Sequence, residues 1–171
     1  MDLSERLFQK VLVGVDGSED ALQAAKCAIK IVKATGGHVT FLFVATEEFL
    51  RKQYERKKKE GVKGGSMATA LVEQARSEEM GRKVLADVAE FANHQLGTDD
   101  FSTKLRSGDP RAEFVEELRS GSYDLCVIGR HGASKSFTTV FGKLSEAIFR
   151  ETDVPILILK GSPECSCDPK P

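Results

Sequence analysis

The chain has 171 residues, 40% of them apolar and 30% charged, with a formal net charge of -1. That is enough apolar material for one packed domain, and it excludes intrinsic disorder as a description of the whole. So even a charge balance gives no global attraction to nucleic acid or to an anionic membrane, and no apolar run reaches the roughly 18–20 residues of a spanning helix.

The opening segment MDLSERLFQKVLVGVDG lacks the basic stretch, apolar core and small-residue cleavage site of a secretory leader, so a cytoplasmic location is expected. Lys10 to Val15, KVLVGV, is a short β-branched run that stops at DGSED, and it predicts a buried strand followed by a turn. Ala21, Ala24, Ala25, Ala28, Ile29 and Val32 then recur at helical spacing, and the TGG at 35–37 supplies the glycine stop. His38 to Ala45, HVTFLFVA, is apolar almost throughout, as strands covered on both faces are.

Residues 47–66 read as an insertion. Within them RKQYERKKKEGVK carries seven Lys or Arg against two Glu, which fits a solvated loop or a basic arm for a phosphate-rich partner. Tyr54 alone interleaves the charges, where a nucleic-acid platform uses several aromatic rings. Met67 to Leu96 then predicts a helix of roughly 45 Å, with its apolar pattern clearest at Met80, Val84, Val88, Phe91 and Gln95. Its first turns are expected to overhang the body of the protein.

Phe101 to Ser107 alternates and suits a strand at a sheet edge. Asp109 and Pro110 form an N-cap and first helical position, and Phe114, Val115 and Leu118 give the helix behind them its apolar face. Tyr123 to Ile128, YDLCVI, predicts a fourth strand; Phe141, Leu144, Ala147 and Ile148 mark a helix; Val154 to Leu159, VPILIL, predicts a last strand. The proline near its start suits an edge or interface. Cys27 and Cys126 fall in apolar patterns as small buried hydrophobes. Cys165 and Cys167 lie in a Pro-rich tail, residues 162–171, too few for a four-ligand zinc site.

Strand and helix alternate, so the expected fold is α/β: an open five-stranded parallel sheet with helices on both faces. Ligands of such sheets lie beyond the carboxyl ends of the strands where strand order reverses. The loops richest in glycine and small polar residues follow strands one and four. Placing the reversal there gives the order 3-2-1-4-5.

After strand four stands GRHGASKSFTTVFGKLS, with Gly129, Gly132 and, nine residues later, Gly142. Glycine permits positive φ and close approach of a ligand to backbone. Gly142 precedes a helix whose free N–H groups and dipole suit phosphate. The spacing alone is equally compatible with glycines that merely end elements. Phe137 stands where a Walker-type loop needs its first glycine, and no G-x-G-x-x-G follows strand one, so neither a P-loop ATPase nor an ordinary dinucleotide fold is supported.

Taken with KVLVGVDGSEDALQAAKCAI, VTFLFV, the GDP before the third helix and VPILIL, this G-x-x-G-x9-G stretch resembles the universal stress protein family over nearly the whole chain, residues 1–161. The resemblance implies a Rossmann-like sheet, ATP as ligand, with magnesium, and a homodimer formed through Val154–Leu159. It implies that Val15 and Asp16 meet the ribose or phosphate end, with Asp16 as the magnesium contact. Val44 would meet adenine through its backbone, with Ile128 packing nearby. Gly129, Gly132 and Gly142 would line the triphosphate, with Arg130, His131, Lys143, Leu144 and Ser145 also in the nucleotide site. One residue departs from the ATP-binding pattern: Lys143 stands where Ser or Thr follows the last glycine. A cation there opposes the helix dipole unless a phosphate is bound. The implied role is a nucleotide-responsive regulator in the stress response. The alternatives left open are a nucleotide-free adaptor of the same fold and a weak ATPase. Against a dedicated hydrolase, His131 has no nameable orienting partner and no second acid stands at metal-binding spacing.

Overall fold

The computed structural model describes residues 7–46, 67–98, 100–130 and 143–160, without the side chains of 67–70 and 73. The 47–66 insertion, His131, Gly132, Gly142 and the tail with Cys165 and Cys167 lie outside the described residues. Five parallel strands stand in the order β3-β2-β1-β4-β5. They are β1 (Lys10–Gly14), β2 (His38–Ala45), β3 (Phe101–Ser107), β4 (Leu125–Gly129) and β5 (Ile156–Leu159). The helices are α1 (Glu19–Thr35), α2 (Met67–Leu96), α3 (Pro110–Ser120) and α4 (Lys143–Glu151). β1 and β5 are shorter than their apolar runs, and β4 is displaced toward its glycine, because ladder pairing defines the strand ends.

The two-residue repeat of each strand divides its side chains between two cores. Val11, Val13, Val39, Phe41, Phe43, Leu125 and Val127 pack against the Ala24–Val32 stripe of α1 and against Leu85, Val88 and Ala92 of α2. Leu12, Leu42, Cys126 and Ile128 face the other way, onto Phe114 and Leu118 of α3 and Ile148 of α4. Each such fully buried side chain contributes about 1.5–3 kcal/mol relative to exposure. Cys126 is buried and its thiol is pushed up to about 12 by burial, whereas Cys27 is only half-buried, because its place on α1 lies beside the alanine stripe.

The caps follow the sequence. Ser18 accepts from the Ala21 amide, and Gly36, at φ 71°, closes α1 with its N–H on the Val32 carbonyl. Asp109 accepts from the amides of Arg111 and Ala112, with Pro110 opening α3.

The face of α2 differs from its expected pattern. Met80 is 51% exposed and Gln95 also faces water; the buried stripe runs through Ser77, Gly81, Leu85, Val88 and Ala92. Gly81 is the reason, since a Cβ there would stand 2.6 Å from Phe43 and 2.7 Å from Leu105. The helix comes so close to the sheet that small residues line the contact and the larger Met80 is turned aside. Leu71 and Val72 are exposed, so the first described turns of α2 do extend past the core.

Candidate functional site

β1 and β4 are neighbours, and from them the chain proceeds in opposite directions across the sheet. The carboxyl ends of these strands therefore border the crevice where a doubly wound sheet takes its ligand. Residues beyond β1 are held tightly. Val15 is buried among the α1 and α2 side chains and its amide donates to the Leu42 carbonyl at 3.0 Å. Asp16 is half-buried, and its Oδ1 accepts from the Ser18 amide at 2.9 Å, so the carboxylate sits in the turn that opens α1. Gly17, at φ 78°, makes that turn accessible to the backbone.

Val44 and Ile128 lie on the other face, in one cluster with Leu144 of α4. Apolar walls of this type accept a flat aromatic base. The Gly108 amide donates to the Ala45 carbonyl at 3.0 Å, tying the loop after β3 to the end of β2. Beyond β4, the Arg130 amide donates to the Leu159 carbonyl at 2.6 Å. Lys143 is exposed at the first position of α4 and Ser145 is buried in its first turn.

The four helices that open toward this end of the sheet differ in charge, and α2 has no acid in its first turn. α1 begins with Glu19 and Asp20, and α3 is capped by Asp109 with Glu113 in its first turn. The Asp109 carboxyl is held below the usual carboxylate range, first by the Arg111 side chain and then by backbone amides. Both helix dipoles are thus answered by the chain's own carboxylates. α4 opens on a cation, Lys143; the acid of its first turn, Glu146, is paired with Arg150 at 3.1 Å. Phosphate suits that end.

Gly129 has a reason of its own. A Cβ there would stand 2.7 Å from the Asp20 carbonyl carbon and 2.8 Å from the Ala21 amide nitrogen. The start of α1 rests directly on the end of β4, so glycine is required whether or not a ligand is bound. Gly14, which the sequence reading passed over, is similar: a Cβ would stand 2.8 Å from the Phe114 ring. Among the described residues no three His, Cys, Asp or Glu side chains gather to hold a metal ion. A magnesium ion would depend on Asp16 together with oxygens of the nucleotide itself.

The sequence reading also missed a polar cluster on the α3 face of β2 and β3. Glu117 is only 1% exposed. It accepts from Lys104 at 2.5 Å, from the Tyr123 hydroxyl at 2.7 Å, and pairs with Arg106 at 2.7 Å. Burial pushes its carboxyl up most strongly, yet the Lys104 and Tyr123 hydrogen bonds and the charges of Lys104 and Arg106 outweigh it, leaving the group below the usual glutamate range. Its signal was present: Glu117 falls on the same helical face as Phe114 and Leu118, opposite cations two apart on a strand.

The chain belongs to the universal stress protein family, whose sequence profile matches residues 7–160. It is 28% identical over 157 residues to universal stress protein MJ0531 of Methanocaldococcus jannaschii, covering 91% of this chain and 84% of that one. The fold is similar to that of universal stress protein UspA from Lactobacillus plantarum, at TM-score 0.72 and 15% identity, over 90% of this chain and 98% of the other. It is also similar to a universal stress protein in complex with cAMP (TM-score 0.63, 20% identity, 91% and 99% covered). A family protein from Arabidopsis thaliana with AMP bound matches at TM-score 0.60 and 16% identity, over 91% and 93%. No helix among the described residues is long and apolar enough to cross a membrane.

Proposed function

We propose that this stress-response protein binds an adenine nucleotide, ATP with magnesium, in the crevice beyond β1 and β4, and that occupancy changes what the protein binds. The observation that carries the reading is the first residue of each helix start: α1 opens on Glu19 and α3 is capped by Asp109, whereas α4 opens on Lys143, with Glu146 only at the far side of its first turn. Adenine packs between Val44, Ile128 and Leu144. Asp16 meets ribose or magnesium, and Gly129, Arg130, His131, Gly132, Gly142, Lys143 and Ser145 line the phosphates. Similarity to proteins solved with cAMP and with AMP supports the choice of base. In this reading Lys143 replaces a hydroxyl with a charge, and the triphosphate reverses the unfavourable sign of a cation at a helix N-terminus.

Calorimetry with ATP, AMP, cAMP and GTP, with and without magnesium, tests it. ATP binds most tightly, and Lys143→Ala weakens ATP by about 3–10-fold, the equivalent of 0.6–1.4 kcal/mol, while changing AMP less. Absence of heat with every adenine nucleotide refutes the proposal and leaves the nucleotide-free adaptor.

The same reading includes a homodimer through β5. All four residues of β5 are half-buried although the strand stands at the sheet edge, and Phe149 of α4 is 80% exposed. Glu151, two residues or about 200° further around α4, reaches Arg119 of α3, so Phe149 faces away from α3. Apolar edges of this kind are covered by pairing.

A further inference from the structure

At the opposite end of the sheet, where β2 and β3 begin, three side chains form a connected series. His38 Nδ1 lies 2.9 Å from Asp100 Oδ1, and His38 Nε2 lies 2.9 Å from Ser102 Oγ. An ionised carboxylate only accepts, so Asp100 takes the Nδ1–H. In the neutral ring Nε2 then carries the lone pair and accepts the Ser102 hydroxyl proton. That is the tautomer and the order of contacts by which a carboxylate orients a histidine to activate a serine.

We propose that Asp100, His38 and Ser102 form a hydrolytic triad with Ser102 as nucleophile, acting on short-chain activated esters. The site is independent of the nucleotide crevice. His38 to Ala45 spans β2, so the two ends lie about 23 Å apart at 3.3 Å per residue.

The support is rigid where it must be. The His38 amide donates to the Gln9 carbonyl at 2.7 Å, and His38 pairs in register with Lys10. Gly37 is needed for that approach, since a Cβ there would stand 2.6 Å from the Phe8 carbonyl oxygen. Ser102 is fixed in β3 opposite Thr40. Two residues along the same face stands Lys104, 44% exposed, with its ammonium held by Glu117. The His38 and Asp100 side chains are 37% and 69% exposed, so the triad is open to solvent and suits a small acyl group.

The chemistry balances with water as co-reactant. Ser102 Oγ attacks the ester carbonyl carbon as its proton passes to His38 Nε2. Collapse breaks the bond to the leaving oxygen, which takes that proton and departs as the alcohol or phenol. Water then attacks the acyl-serine and gives a proton to His38. The carboxylic acid leaves as that proton returns to Ser102 Oγ.

The full chain is incubated with p-nitrophenyl acetate and, separately, with a fluorophosphonate probe followed by peptide mass mapping. The expected result is nitrophenol release that falls about 10²-fold or more in Ser102→Ala and His38→Gln, and a phosphonyl adduct on the Ser102 peptide that both variants lose. Ser102→Cys, which keeps a nucleophile against His38, reacts with iodoacetamide at neutral pH at least 10-fold faster than the same variant carrying His38→Gln. Equal nitrophenol release in the parent chain and Ser102→Ala, no adduct at Ser102, or equal alkylation with and without His38 each overturns the triad. Circular dichroism of every variant separates these outcomes from unfolding.

Discussion

Glu117 stabilises the protein only while its partners are present. Removing the carboxylate leaves Lys104 and Arg106 facing each other beside a half-buried Tyr123, and breaking such a network around a buried carboxylate costs about 3–5 kcal/mol. Glu117→Ala is expected to lose that much in urea unfolding. The pH dependence follows from the direction of the shift. A carboxyl whose folded pKa lies below its unfolded value of about 4.3 contributes fully above that value. The contribution is lost as pH falls through the folded pKa. Glu117→Gln should therefore flatten the acid limb of the stability profile below about pH 4.3 and leave its slope near neutrality unchanged. Gly129 makes a second residue-scale test. Its absent Cβ would press on α1 backbone, which cannot move aside as a flexible side chain would. Gly129→Ala should cost about 1–3 kcal/mol with or without nucleotide. A loss confined to ATP affinity would mean that α1 yields more easily than its packing implies.

Helices and strands were legible to different depths. α1 was readable at its C-terminal end, where the TGG stop falls on Gly36; its N-cap, Ser18, lay unrecognised inside the DGSED turn. Ser18→Ala should lower stability by about 1 kcal/mol, measured as a shift in the thermal midpoint. α2 was readable as an element but not as a surface. Periodicity weights large apolar residues, and it selected Met80; the contact actually depends on Gly81, which has no side chain to signal it. Strand pairing likewise moved the ends of β1, β4 and β5, since the ladder is a property of two segments and apolar runs belong to one. At the candidate site, Val44 and Ile128 were named through the family resemblance, and their common face came from the structure. The Glu117 cluster and the His38 series join residues 13 and 64 positions apart; Glu117 on the apolar face of α3 hinted at the first, and no local spacing announces the second.

The molecule as a whole is organised around one reversal of strand order, and its two outer strands differ in character. β3 carries Lys104 and Arg106, paired on one side with Glu117 and Glu113, and its Thr103 and Lys104 are exposed. β5 carries only Ile156, Leu157, Ile158 and Leu159. The proposed dimer uses the second edge. Light scattering at micromolar concentration should give twice the 18.7 kDa chain mass, and Phe149→Lys should return it toward that of a single chain without loss of helicity. A single-chain mass for the parent protein would contradict the dimer.

The inequality of the two edges also determines how far assembly can proceed. A sheet with two apolar borders could recruit chain after chain, and a sheet with two charged borders would recruit none. Here the border of β3, with its exposed Thr103 and Lys104, resists strand addition while the aliphatic one invites it. In the proposed dimer the chain therefore has a valence of one. Two copies joined border to border present only lysine- and arginine-bearing strands outward, so association stops at a closed pair and rising concentration produces one step in mass rather than a growing fibre.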